Sequence, residues 1–290
     1  FFSSLSGSKI MSFDLIFTFL ALGAFVGITA GLLGIGGGGV LVPMLTAIFL
    51  SQNIPAEQVV HLALGTSMAC IIVTSFSSLR AHHANGNVIW PLVKLMVIGV
   101  VFGTFSATFI ASMISSKALA IFFACFMAYV AIQMFVNSKA NNKQSNPPSA
   151  YHVINRIELL FASIGIGSIS AIVSIGGGSI TVPYLTWRNI DIKKAIGTSA
   201  AIGFPLSIAG SFGYLISGWS QTPPIPYTYG FINLPAVLVV SITSFFAAPI
   251  GANLTQKLPV GTLKKIFALL LAILSIKMLV NLELLPCCNF

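Results

Sequence analysis

Acidic side chains are nearly missing from this sequence. Its 290 residues hold five of them, Asp14, Glu57, Glu158, Asp191 and Glu283, and charged residues of both signs make up only 7% of the chain, against roughly 25% in a soluble globular domain. So little charge cannot clothe a water-facing surface. Lipid must therefore be the solvent for most of the molecule, and the backbone must satisfy its own polar groups as helices or as a closed barrel. Dyad alternation is missing too. The long apolar runs, about 18–25 residues each, fit membrane helices and exclude a barrel. No acid sits mid-run, which disfavours a carboxylate proton relay or a cation site and leans toward an anionic substrate. The four cysteines show no metal-ligand spacing. Cys70 and Cys125 lie in apolar runs and read as packing residues, while Cys287-Cys288 stands in the tail as a bland, redox or lipidation feature. No metal and no cofactor are expected. The 14 Lys and Arg give a net charge of +9 but sit singly or in threes at the ends of apolar runs, so a nucleic-acid stripe interleaved with aromatics is absent. Met11 is a candidate natural start, and the first apolar run continues into a glycine segment with no cleavable signal evident.

What the chain has in quantity is apolar residues, 56% of it, and glycine, 26 residues. The glycines are concentrated in a stretch that occurs twice. Gly31–Leu45, GLLGIGGGGVLVPML, lies on Ala171–Leu185, AIVSIGGGSITVPYL, at an offset of 140. Ile35/Ile175, Gly36/Gly176, Gly37/Gly177, Gly38/Gly178, Val42/Val182, Pro43/Pro183 and Leu45/Leu185 are identical pairs. The repeat goes further, with Gly65-Thr66-Ser67 recurring as Gly197-Thr198-Ser199 and Ile132–Val136 recurring as Ile276–Val280. Two glycine-broken apolar segments in corresponding places point to a carrier whose site lies between two repeats.

Apolar runs fall near 13–33, 40–50, 59–79, 88–113 and 118–136, then near 157–175, 179–187, 195–217, 230–251 and 262–282. The polar, Pro/Ser/Asn-rich stretch 137–155 separates the sets and reads as a linker between a first repeat, 13–136, and a second, 156–282. Charge tests how often the chain crosses. If each glycine-broken pair crosses twice or enters and returns, one side of the membrane holds Arg80, Lys139, Lys143, Arg156, Arg188, Lys193, Lys194, Lys257, Lys264 and Lys265, and the other holds Lys9 and Lys117. If each pair crosses once, that bias disappears, so the positive-inside rule selects the first arrangement. Each half then crosses an odd number of times, the halves are inverted, and both termini lie outside with the linker cytoplasmic. The runs 40–50 and 179–187 amount to about 16 and 14 Å of helix, too short for a ~30 Å core. They read as half-helices starting near mid-membrane. The fold expected is thus an all-α polytopic membrane protein of two inverted repeats, each a re-entrant or tilted glycine-broken pair plus three transmembrane helices.

In Gly36, Gly37, Gly38 and Gly39, and in Gly176, Gly177 and Gly178 followed by Ser179, the backbone is free to expose several N–H groups. A helix starts immediately after, and its unpaired amides and positive dipole end bind small oxyanions without a basic side chain. Pro43 and Pro183 fall in the first turn or so, where proline removes few hydrogen bonds. The competing reading is that the glycines only let helices cross closely. Thr66, Ser67, Thr198 and Ser199 offer hydroxyls to an anion or, alternatively, bond back to their own helix carbonyls. Arg80, His82 and His83 close a helix at the presumed cytoplasmic end, Arg80 and His82 as candidate gating residues, the histidines as proton-coupling groups or a wet helix end. Lys94 and Lys277 lie just inside their helices and can snorkel. Gly34–Gly39 also matches GxGxxG, but its flanks are membrane-length helices with no βαβ unit, which excludes a dinucleotide fold. An intramembrane hydrolase with Ser67 or Ser199 as nucleophile and His82 or His83 as base fails on distance, roughly 22 Å along the helix from Ser67, and the chain is not expected to be an enzyme.

These stretches resemble a known family. GLLGIGGGGVLVP with its echo SIGGGSITVP, SSLRAHHANGNVIWP after the first GTS helix, and YGFINLPAVLVV followed by APIGANLTQKLPVGTLKKIFALLLAILSIKML are similar to the sulfite exporter TauE/SafE membrane permeases, over nearly all of 13–282. The resemblance implies a bacterial inner-membrane carrier exporting sulfite or a related organosulfonate, with no nucleic-acid partner. It carries over Gly36, Gly37, Gly38 and Pro43 with Gly176, Gly177, Gly178 and Pro183. The GTS pairs come from the repeat itself, and Ser179 in place of Gly39 adds a hydroxyl that breaks the symmetry. The mechanism expected is alternating access around a midplane anion site. An uptake carrier for another anion and a channel-like or sensor membrane protein are the alternatives. Apolar small-residue faces are compatible with a homodimer.

Overall fold

A computed structural model of the chain describes residues 13–34, 36–136, 155–220 and 226–257, and in the last stretch 268, 269, 271–273, 275 and 276. The helices are α1 (Phe13–Leu33), α2 (Gly38–Ser51), α3 (Ala56–Ala84), α4 (Trp90–Met113), α5 (Ser116–Val136), α6 (Arg156–Val173), α7 (Gly178–Trp187), α8 (Ile192–Ser217) and α9 (Leu234–Lys257). The residues described in 268–276 are helical as well. A two-residue ladder, β1 (Thr228–Tyr229) with β2 (Ile232–Asn233), tightens the turn into α9. Ile35, the body of the linker, Lys277 and Cys287-Cys288 lie outside the described residues, as does most of the expected run 262–282. Asn155, at the linker's end, caps α6 by accepting from the Ile157 N–H at 3.1 Å.

Seven of these helices, α1, α3, α4, α5, α6, α8 and α9, are long and apolar enough to cross a bilayer. Their outward side chains are themselves apolar: Phe17, Ile98, Phe102, Phe161, Phe212 and Phe246 are all exposed. Such a surface is stable only against hydrocarbon. The innermost helices, α3 and α8, pack on each other at the centre.

Small residues set the remaining contacts. A side chain on Gly27 of α1 would strike Ser244 and Ala247 of α9, and Gly31 is pressed against Ala248 and Ala252. Contacts that advance together along both helices make α1 and α9 parallel. In the same way Gly99 and Gly103 of α4 lie against Leu160, Ser163 and Ile164 of α6, so those two also run parallel. Close approach of this kind is how helices associate where lipid removes the hydrophobic driving force. Each outer pair therefore joins one helix from before the linker to one from after it.

Loop contacts sort the helix ends into two faces. The α3–α4 turn reaches the start of α8, since Ile89 N–H donates to Thr198 Oγ1 at 3.1 Å, and Asn85 faces Asn253 near the end of α9. Glu158 at the start of α6 pairs with Arg188 at the end of α7. On the opposite face Asn233 N–H donates to Thr66 Oγ1 at 3.0 Å, and His61 of α3 meets both Ala111 and Ser116 around the α4–α5 turn. The first face carries Arg80, Arg156, Arg188, Lys193, Lys194 and Lys257, and the second carries Lys117, among the described residues. This is the charge segregation expected when each glycine-broken pair goes in and comes back.

Candidate functional site: the paired glycine breaks

Between α1 and α2, and again between α6 and α7, the helix stops and restarts at glycine. Gly37 caps α2 at φ 80° and Gly177 caps α7 at φ 78°, a left-handed conformation that costs a side chain about 1–2 kcal/mol. Neither cap supplies a side-chain hydrogen bond, and the first bonds back to the cap carbonyls come from Val40 and Ile180 N–H, which leaves the first two amides of each helix without an intrahelical acceptor. The two breaks then meet. A Cβ on Gly36 would lie 2.7 Å from Gly176 Cα and 3.2 Å from Gly176 N, and one on Gly38 would collide with the Ser174 carbonyl. Ile71, midway along α3, packs against both Gly36 and Gly38, while Gly203 of α8 faces the Gly176 carbonyl. Two helix N-termini thus start from one place, flanked by the two central helices.

The GTS segments hold this arrangement by exchanging bonds across it. Ser199 Oγ donates to Ile196 O at 2.8 Å, with Gly34 O at 3.2 Å. In the other direction Ser174 Oγ donates to Leu64 O at 2.8 Å. Thr66 and Thr198 each accept a backbone N–H from the loop before α9 and before α4 respectively. Their oxygens are therefore engaged in tying helix to loop, while Ser67 Oγ is fully buried without a hydrogen-bond partner. Gly39 is covered by Met127 Cε and Leu271 Cδ2, 2.7 and 3.3 Å from where its Cβ would be. Pro43 and Pro183 sit in the second helical turn, slightly deeper than the first-turn position expected, so each removes one N–H that would have bonded to the carbonyl of Gly39 or Ser179.

The remaining candidates lie elsewhere. Arg80 is exposed with its guanidinium 6.0 Å from the Phe76 ring centroid. His82 is buried and its Nε2 donates to the Gly31 carbonyl at 2.9 Å, which ties the end of α3 to the end of α1. A wet helix end describes His83, exposed and accepting from Trp90 Nε1–H at 3.2 Å, but not His82. Neither histidine is brought to Ser67, so the serine hydrolase pairing has no geometry. Lys94 is exposed.

Several polar residues escaped the sequence reading. His61 is buried between Ala111 O, at 3.1 Å, and Ser116 Oγ, at 3.0 Å, and stacks on Phe231 with centroids 5.1 Å apart. Ser170 Oγ, Thr181 Oγ1 and Tyr184 Oη, like Ser179 Oγ, are buried atoms with no hydrogen-bond partner. All four fall on the second break, where the first copy has Ala30, Leu41, Met44 and Gly39. Ser179 was legible as a difference between the copies, and extending that comparison to Ser170, Thr181 and Tyr184 would have found the other three.

Residues 19–278 match the family model described as Sulfite exporter TauE/SafE. The chain belongs to this family. A protein of Haemophilus influenzae named "Probable membrane transporter protein" is 38% identical over 269 residues, 92% of this chain and 98% of that one. A protein of Methanocaldococcus jannaschii with the same description is 28% identical over 262 residues, 90% and 94% of the two chains. One from Bacillus subtilis, again named as a membrane transporter, is 26% identical over 259 residues, 88% and 96%. No solved structure matches. With seven membrane-length helices among its described residues, this TauE/SafE chain is a multi-pass membrane transporter.

Proposed function

We propose that the protein is a secondary carrier that exports a small sulfur oxyanion, sulfite or a related organosulfonate, across the inner membrane by alternating access between two inverted halves. The observation that carries this reading is the meeting of Gly36 with Gly176, which sets two helix N-termini at one place, where bare amides and dipole ends suit a small anion. The family description supports the sulfur oxyanion. The parallel pairs α1/α9 and α4/α6, each crossing between halves, support the inverted relation. The face rich in Arg and Lys is read as cytoplasmic, with the linker on it and both termini opposite. An anion leaving an inside-negative cell gains about 2.3 kcal/mol per charge per 100 mV, so export needs no coupling ion.

The test is sulfite flux into or out of proteoliposomes, comparing the parent with Gly177→Ala. At Gly177 an added Cβ meets only Leu206 Cδ1 at 3.2 Å and Thr181 Oγ1 at 3.6 Å, so the variant's main effect is to disturb the left-handed cap. Saturable flux that falls at least tenfold in Gly177→Ala, with the protein still monodisperse, is the expected result. Unchanged flux in that variant removes the breaks from the transport site, and a parent without sulfite flux removes sulfite as the substrate.

A further inference from the structure

A cavity of about 370 Å³ opens beside α7, within the usual size range of small-molecule sites. It is bounded by α5 (Phe126, Tyr129, Gln133), by Ile169 of α6, and by α7 from Ser179 to Trp187. The nine residues of α7 from Ser179 to Trp187 span about 12 Å of helix rise. The cavity therefore runs from the first turn after the glycine break to the last residue of the helix, where Trp187 is exposed.

Its two ends differ in chemistry. At the inner end Ser179 is only 5% exposed and its Oγ has no hydrogen-bond partner, beside the uncapped amides that open α7. Two residues on, and outside the cavity's lining, Thr181 is fully buried with an unpartnered hydroxyl, close to the Gly177 cap. At the outer end the Arg188 guanidinium lies 5.4 Å from the Trp187 ring centroid and 5.7 Å from that of Tyr184, both of which line the cavity. Glu158 holds Arg188 there, and the Arg188 Nε is without a partner. No acidic residue lines the cavity among the described residues. The corresponding positions on α2 are Gly39, Leu41 and Met44, with Ile48 where Arg188 stands, so neither the hydroxyls nor the cation occur in the first copy.

We propose that this cavity is the anion's access path from the Arg188 face to the α7 break, with Arg188 collecting the oxyanion and the Ser179 hydroxyl receiving it. Buried hydroxyls left unpaired carry a desolvation cost that an incoming acceptor relieves. A partly exposed guanidinium already shared with a carboxylate exchanges that partner for an anion without a net change in paired charge. The path is one-sided: both the hydroxyl donor and the cation belong to the second copy. It rests on reading the chain as an anion carrier.

Thiol modification in sealed, oriented vesicles tests it. The full chain with its four natural cysteines exchanged for serine carries Ser179→Cys, and Ile180→Cys serves as a second cavity position. Each is exposed from one face at a time to 2-sulfonatoethyl methanethiosulfonate and to its trimethylammonium counterpart. Modification from the Arg188 face, roughly tenfold faster with the anionic reagent and losing that preference in Arg188→Gln, is the expected result. Reaction only from the opposite face, equal rates for both reagents, or no reaction of either cysteine in folded protein that reacts once denatured overturns the path. The expected labelling without sulfite flux in the parent overturns sulfite as substrate and leaves the path standing, whereas flux with the wrong labelling does the reverse.

Discussion

At the scale of single residues, two kinds of glycine with the same backbone angle behave differently. Gly36 sits at φ 72° against Gly176, and Gly86 sits at φ 70° in the α3–α4 turn with nothing within 4 Å of an added Cβ. Gly86→Ala bears only the left-handed conformation, about 1–2 kcal/mol. Gly36→Ala adds the separation of the two breaks, another 1–3 kcal/mol of overpacking. Thermal unfolding in detergent is therefore expected to place Gly36→Ala clearly below Gly86→Ala, with sulfite flux lost in the first and kept in the second. Equal melting temperatures would mean the breaks yield without strain. The identity of the glycine pairs was readable in the sequence because a repeat announces itself. That Gly36 is the point of contact was not, since only the fold decides which glycine of a run faces its counterpart.

Among elements, lipid makes small residues the determinants of helix pairing, and the α4/α6 pair offers a matched comparison. Gly103 of α4 lies against the Ile164 backbone of α6, while Gly165 of α6 has nothing within 4 Å and is exposed. Gly103→Leu is expected to destabilise by about 1–3 kcal/mol, and Gly165→Leu to be neutral or mildly stabilising because glycine is a poor helix former. Chemical unfolding in mixed micelles distinguishes the two, and a neutral Gly103→Leu would remove close packing as the basis of the α4/α6 pair. Element bounds were the most legible part of the chain. The runs read as 13–33 and 179–187 became Phe13–Leu33 and Gly178–Trp187, the first because the bilayer dictates apolar length and the second because the glycine break starts it and Arg188 follows it. Partners were less legible. Thr66 and Thr198 looked like free hydroxyls or ones bonded to their own helix, yet each accepts from a loop more than 100 residues away, and nothing local signals such a partner. His61 stayed hidden for the same reason, its carbonyl and hydroxyl partners lying at the α4–α5 turn.

Over the whole molecule, the charge count along the sequence groups certain loops on one face, and among the described residues the contacts of Asn85, Ile89 and Glu158 bring ends of those loops together. Charge works at this scale because the membrane sorts loops rather than residues. The parallel pairs α1/α9 and α4/α6 have a consequence for biogenesis. The first half leaves the ribosome with the glycine faces of α1 and α4 unmatched, and their mates are synthesised only after the linker. The nascent half must wait in the bilayer as loosely associated spans, and it sets into its final form when the second half threads its helices between them. The covalent join is then a matter of supply rather than of architecture. Two fragments divided within 137–154 and made in the same cell are expected to be recovered together as one complex, whereas either made alone is expected to be degraded. Recovery of a stable, well-behaved first fragment by itself would show that each half closes on its own and only afterwards docks.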